Sequence, residues 1–71
     1  MIPLTFAAVG KKASIKKISG RDDARRFLGS LGFVEGGEVV IVSDNGGNLI
    51  VNIKDTRVAI SREMASKIIV A

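Results

Sequence analysis

Two apolar runs joined by an Asn-Gly-Gly turn constrain the fold of this chain more than any other feature. The first run is Val39-Val40-Ile41-Val42. The second, Asn48 to Ile53, alternates: Leu49, Val51 and Ile53 fall on one face, Asn48, Ile50 and Asn52 on the other. A period of two belongs to strands. Asp44-Asn45-Gly46-Gly47 between them supplies residues that tolerate the positive φ of a tight hairpin. The pattern predicts an antiparallel pair. The first run, apolar at every position, predicts a central strand covered on both sides. After a turn at Lys54-Asp55-Thr56, Arg57 to Ile60 predicts a third strand with Val58 and Ile60 on one face.

The flanks add shorter elements. Leu4 and Phe6 alternate and predict a first strand, and Val9-Gly10-Lys11-Lys12 a turn. Ala13 to Ser19 is a strand whose Ile15 and Ile18 break the period of two, so a bulge is expected near Lys16 and Lys17. Asp22 or Asp23 should cap a helix. Its apolar face would be Ala24, Phe27, Leu28 and Leu31. Gly32 should end the helix in left-handed backbone, with Phe33 folding back onto the last turn. Glu35-Gly36-Gly37 is a turn. Ser61 should cap a short second helix bearing Glu63, Met64 and Ala65, and Ile68-Ile69-Val70 could close the sheet. With only 71 residues the chain is expected to be one domain, 1–71. A domain of this size buries roughly 60% of its unfolded surface, which leaves little room for a deep cleft. Strands, helix, hairpin, strand, short helix and strand together predict a mainly β fold with short helices. The expected architecture is an SH3-like, small, partly open β-barrel with an inserted α-helix. Leu28, Leu31, Gly32, Phe33, Gly36, Gly47, Val58 and Ile60 are the expected core and turn determinants, and all three Phe are expected in the core.

The chain has no Cys and no His. Thiolate chemistry, disulfides, zinc knuckles and imidazole bases are thereby excluded. A soft or borderline metal would find only carboxylates and carbonyls to bind. Asp22-Asp23 reads as helix capping, and no resident metal or cofactor is expected. Ser30, Ser43, Ser61 and Ser66 lack a base to activate them. The paired glycines lack the Lys and Ser/Thr of a phosphate loop. No enzyme is expected. Lys and Arg number 11 against 7 Asp and Glu, for a net charge of +4. Lys11, Lys12, Lys16, Lys17, Arg21, Arg25 and Arg26 make the first half basic. With no aromatic residue expected at the surface for stacking, a nucleic-acid partner is not expected. A solvated face or a docking face for an acidic protein surface fits better. No segment approaches the ~18 apolar residues of a membrane span, and a cytoplasmic location is the expectation.

Several stretches in order resemble the FeoA family. They are Pro3-Leu4 with Gly10; Leu28-Gly29-Ser30-Leu31-Gly32-Phe33 with Gly36; Gly47 to Ile53; and Arg57-Val58-Ala59-Ile60-Ser61-Arg62-Glu63-Met64-Ala65 with Ile68-Ile69-Val70. Members often carry Pro where this chain has Val9 and Glu35, so two turns here are less stiff. The resemblance implies an SH3-like barrel in the cytoplasm. It also implies a role in ferrous iron uptake beside FeoB, a membrane Fe(II) permease with a cytoplasmic GTPase domain. Arg21, Arg25, Arg26 and Arg57 are the candidate docking residues. The alternative is a nucleic-acid-binding or metal-dependent regulatory domain, akin to the C-terminal domain of DtxR-type repressors.

Overall fold

In the computed structural model, which describes residues Met1–Ala71, the two apolar runs form strands β3 (Glu38–Asp44) and β4 (Asn48–Ile53), paired antiparallel. Side chains hold the turn between them. Asn45 Oδ1 accepts from the amides of Gly47 and Asn48, Asp44 Oδ1 accepts from Gly46, and Gly46 sits at φ 93°. Such local bonds are the reason Asp and Asn initiate turns.

Strand β5 (Thr56–Ser61) returns along β4 through a turn of two residues, Lys54 and Asp55, at φ 49° and 63°. Two consecutive positive φ values define the hairpin turn whose twist matches the strands, and Asn-Gly is its preferred sequence. Lys and Asp pay a steric penalty there. Replacing the pair by Asn-Gly (Lys54→Asn with Asp55→Gly) is therefore expected to raise stability by about 1 kcal/mol, read as a higher urea midpoint at unchanged slope.

Three further strands complete one sheet. They are β1 (Ile2–Pro3), β2 (Lys12–Ile18) and β6 (Ile68–Val70), in the order β1-β6-β2-β3-β4-β5. All pairings are antiparallel. Register shifts between Ile15 and Lys17 in β2, and between Ile41 and Ser43 in β3, bend the sheet into a small barrel that stays open between β1 and β5. The first of these is the bulge that the spacing of Ile15 and Ile18 predicts. The inward residues Ala13, Ile15, Val39, Ile41, Leu49, Val51, Ile53, Ile60, Ile68 and Val70 form the core with Leu4, Leu28, Phe33 and Ala65. The fold is thus the mainly β, partly open barrel expected.

Helix α1 (Asp22–Leu31) lies between β2 and β3 in sequence. Its end follows the Schellman geometry. Gly32 sits at φ 109°, its amide donates to Gly29 O at 3.0 Å, and the Phe33 amide reaches back to Leu28 O at 3.1 Å. That turn drives the Phe33 ring into the core, where it is 1% exposed. At the other end Arg21 occupies the cap position without a side-chain bond, and Asp22 and Asp23 lie within the first turn. Asp23 Oδ1 nevertheless accepts from the Ala24 amide at 2.8 Å, so one carboxylate satisfies a first-turn N–H from inside the helix, and both place negative charge at its N-terminus. Helix α2 (Arg62–Ala65) is capped as expected, Ser61 Oγ accepting from the Met64 amide at 3.1 Å.

Several expectations are corrected. Leu4–Phe6 forms a 3₁₀ turn, not a strand, and this turns Phe6 outward to 75% exposure. Phe27 is 49% exposed. At 100° per residue it lies at the margin of a face centred on Ala24, Leu28 and Leu31, and a ten-residue helix on a small barrel buries only the centre. Leu31 itself is half-buried. Strand β3 is interior in the sheet order, yet Val40 and Val42 are only half-buried, so its outer face is not covered.

Candidate functional site

The outer face of the sheet carries a row that crosses four strands. Lys12 of β2 faces Val40 of β3, Val40 faces Asn52 of β4, and Asn52 faces Arg57 of β5. Ser14 and Glu38 pair one step away. Because period-two strands bury Val39, Val51 and Ile53, their neighbours in sequence must point the other way. The Lys54-Asp55 turn and Gly36 close the ends of an open hollow of about 1160 Å³, of whose lining only Val40 is hydrophobic. Three cations and two anions line it: Lys12, Lys54 and Arg57 against Glu38 and Asp55. Arg57 Nε donates to Asn52 Oδ1 at 3.3 Å. This orients the guanidinium and leaves its two terminal nitrogens free for a carboxylate.

The four candidate arginines are all exposed but do not form one cluster. Arg57 lines the sheet hollow. Arg25 lines a second, smaller hollow with Lys17, Ser19, Gly20 and Glu35, and lies 3.8 Å from Asp22. Arg21 and Arg26 belong to neither. Of the expected turn and core residues, Leu28, Phe33 and Ile60 are buried and Val58 is half-buried. Gly36 borders the sheet hollow, its amide donating to Ile15 O at 2.8 Å, and Gly47 O accepts from the Arg62 amide at 3.0 Å.

Arg62 escaped the sequence reading. Its Nε donates to Gly46 O at 2.8 Å, and its Nη2 donates to both oxygens of Asp44 at 2.6 and 2.5 Å. The partners are 18 residues apart, and only the pairing of Asn48 with Ser61 brings them together, so no local pattern marks them. The clamp fastens α2 to the β3–β4 turn. The Arg62 hydrogen bonds, and then the Gly46 amide, hold the Asp44 carboxyl below its ordinary value of 3.8. A depressed carboxylate stabilises the fold above its unfolded pKa, and that contribution disappears as pH falls through the folded value. The stability difference between wild type and Arg62→Gln is therefore expected to be constant near neutrality and to shrink below pH 3.8, as urea titrations at each pH will show.

No charged or polar side chain is buried, and no three acidic residues approach one another as a metal group. No helix is long and apolar enough to cross a membrane. What the surface offers is charge-bearing, shallow and open, a geometry for contact with another macromolecule rather than for enclosing a small substrate.

Comparison with known proteins places these features in a family. The FeoA domain model matches residues 2–71. A relative from Methanocaldococcus jannaschii, named "Putative Fe(2+) transport protein A", is 34% identical over 70 residues, covering 99% of this chain and 85% of its own. The crystal structure of a FeoA iron uptake regulatory protein superposes with a TM-score of 0.89 at 27% identity, covering 99% of this chain and 93% of that one. A Stenotrophomonas maltophilia FeoA in complex with zinc, described as an SH3 domain protein, superposes with a TM-score of 0.81 at 28% identity, covering 100% of this chain and 91% of that one. Matched across almost its whole length in sequence and in fold, this chain belongs to the FeoA family of ferrous iron transport proteins.

Proposed function

We propose that the chain is a cytoplasmic, non-catalytic docking module of ferrous iron uptake that binds the FeoB-type permease through its basic surface. The observation that carries this reading is the polar row Lys12–Val40–Asn52–Arg57 on an uncovered sheet face. An open face of this kind, with an oriented and otherwise free guanidinium, suits a protein surface bearing carboxylates. Family membership supplies the transport context, and the permease is the partner that context suggests. Arg57 is the principal docking residue in this reading. Arg21, Arg25 and Arg26 contribute to a positive field that speeds association.

Binding of the purified domain to the full-length permease in nanodiscs tests the proposal. A saturable complex that Arg57→Ala weakens and that tolerates moderate salt is expected. The salt series also tests the nucleic-acid alternative. Phe6 and Phe27 are exposed and would offer that alternative two rings for stacking on bases. Tight binding to RNA or DNA with a steep salt slope, and none to the permease, would reject docking.

A further inference from the structure

The two ends of the sheet differ. At one end, β1 is two residues long and contains Pro3, which has no N–H to offer. At the other, β5 is six residues long, carries no Pro and no bulge, and pairs with β4 alone. Natural edges are normally blunted by shortness, proline, bulges or charge. By that standard β1 is blunted, and β5 carries only the single charge of Arg57.

The phase of the β4–β5 ladder shows which backbone groups are unpaired. A two-residue turn makes its flanking residues, Ile53 and Thr56, the pair that exchanges both hydrogen bonds. The alternation then assigns bonds to Val51 with Val58 and to Leu49 with Ile60. It continues to Gly47 and Arg62, where the Arg62 amide does donate to Gly47 O at 3.0 Å. The N–H and C=O groups of Arg57 and Ala59, and the N–H of Ser61, therefore point away from the sheet, while the Ser61 C=O is the cap carbonyl of α2. The side chains of Arg57 and Ala59 lie on the outer face beside the hollow, with Asn52 and Lys54 as neighbours.

We propose that β5 is a strand-addition site: an extended acidic segment of the partner pairs with Arg57, Ala59 and Ser61 and sets a carboxylate against the Arg57 guanidinium. This rests on the docking function proposed above and names its mode. The residue opposite Arg57 exchanges both backbone bonds with it, and its side chain emerges on the same face, where the guanidinium has two free nitrogens. A second copy of this chain fits less well. Antiparallel pairing of two β5 strands about Ala59 brings the Arg57 of both copies into one interface with no carboxylate in β5 to meet them, and both chains carry +4. A carboxylate-bearing segment meets the Arg57 guanidinium instead, with Lys54 in the adjoining turn.

Hydrogen exchange of the intact domain, alone and with the full-length permease in nanodiscs, reads the edge directly. The amides of Arg57, Ala59 and Ser61 are expected to exchange fast in the free domain and slowly in the complex, while those of Thr56, Val58 and Ile60 are protected in both. Ala59→Pro deletes one outward N–H and no bond to β4, and it should weaken binding about tenfold, the scale of one lost hydrogen bond. Arg57→Glu leaves the backbone intact and should weaken binding at least as much, so the proposal does not hang on whether the proline variant folds. Binding with unchanged exchange across 56–61 would overturn strand addition and leave docking standing. Protection that appears with rising concentration of the domain alone would assign the edge to a second copy and overturn the acidic partner. Absence of any complex with the wild type would overturn docking and strand addition together.

Discussion

Phe33→Ala will lower the stability of this domain by about 3–5 kcal/mol and leave it at or near the unfolding threshold. Whole-domain stability runs to roughly 0.05–0.15 kcal/mol per residue, so 71 residues hold little in reserve. Phe33 is the largest fully buried side chain, and it enters the core directly after the left-handed Gly32. Its removal leaves a void at the junction of helix and barrel that a β-branched core, with stiff side chains, cannot readily fill. Leu28, which is 0% exposed, should cost about 2–5 kcal/mol on truncation to Ala. Leu31 keeps solvent contact, so Leu31→Ala should cost less than either, with about 1 kcal/mol typical of a point substitution. Urea titrations of the three variants at one temperature will rank them. A Phe33→Ala midpoint equal to wild type, or a larger loss from Leu31→Ala, would show that the helix is not closed onto the core by this turn.

The second large effect concerns the GTPase of the proposed permease partner. An arginine supplied in trans to a GTPase site can raise hydrolysis by ~10³–10⁵. Docking without insertion predicts no such change: at saturating domain, hydrolysis by the permease will stay near its unassisted rate. Arg25, Arg26 and Arg57, three of the exposed candidate docking arginines, are poorly placed for insertion. Arg25 lies against Asp22, Arg57 is tethered to Asn52 and belongs to a strand, and Arg26 stands on a short helix packed beside the barrel. None is carried on a long loop that could reach into another protein's site. Arg57→Ala is expected to weaken binding, Arg25→Ala and Arg26→Ala to slow association, and all three to leave the saturated rate unchanged. Strong stimulation by wild type, abolished by one of these substitutions while the complex persists, would make that residue catalytic in trans and reject simple docking.

Each of these predictions depends on a feature of different visibility. Gly32-Phe33 was legible because a Schellman turn is local: the left-handed residue and the returning apolar side chain are adjacent in sequence. The β3–β4 turn, the Ser61 cap and the β2 bulge were legible for the same reason, since each is set by residues within a few positions of one another. Together with the ordered family stretches they specified a partly open barrel. The β4–β5 turn was located correctly, but its Lys54-Asp55 pair gave no sign of the two positive φ values, which the pairing of the flanking strands imposes.

What the sequence by itself determined, then, is the order of the main strands and helices, the inward residues of β4 and β5 and the absence of imidazole and thiolate chemistry. Periodicity and turn chemistry act over a few residues and need no tertiary partner to be read. The tertiary structure decided which faces meet solvent and which charges meet each other. It turned Phe6 and Phe27 outward because a barrel this small covers only the centre of each attached element. It aligned Lys12, Val40, Asn52 and Arg57, from four separate strands, into one row. It closed Arg62 onto Asp44 and left β5 as the open edge. Those outcomes depend on strand register and sheet order, which are set by contacts between residues far apart in the chain, and a linear pattern does not encode their distances.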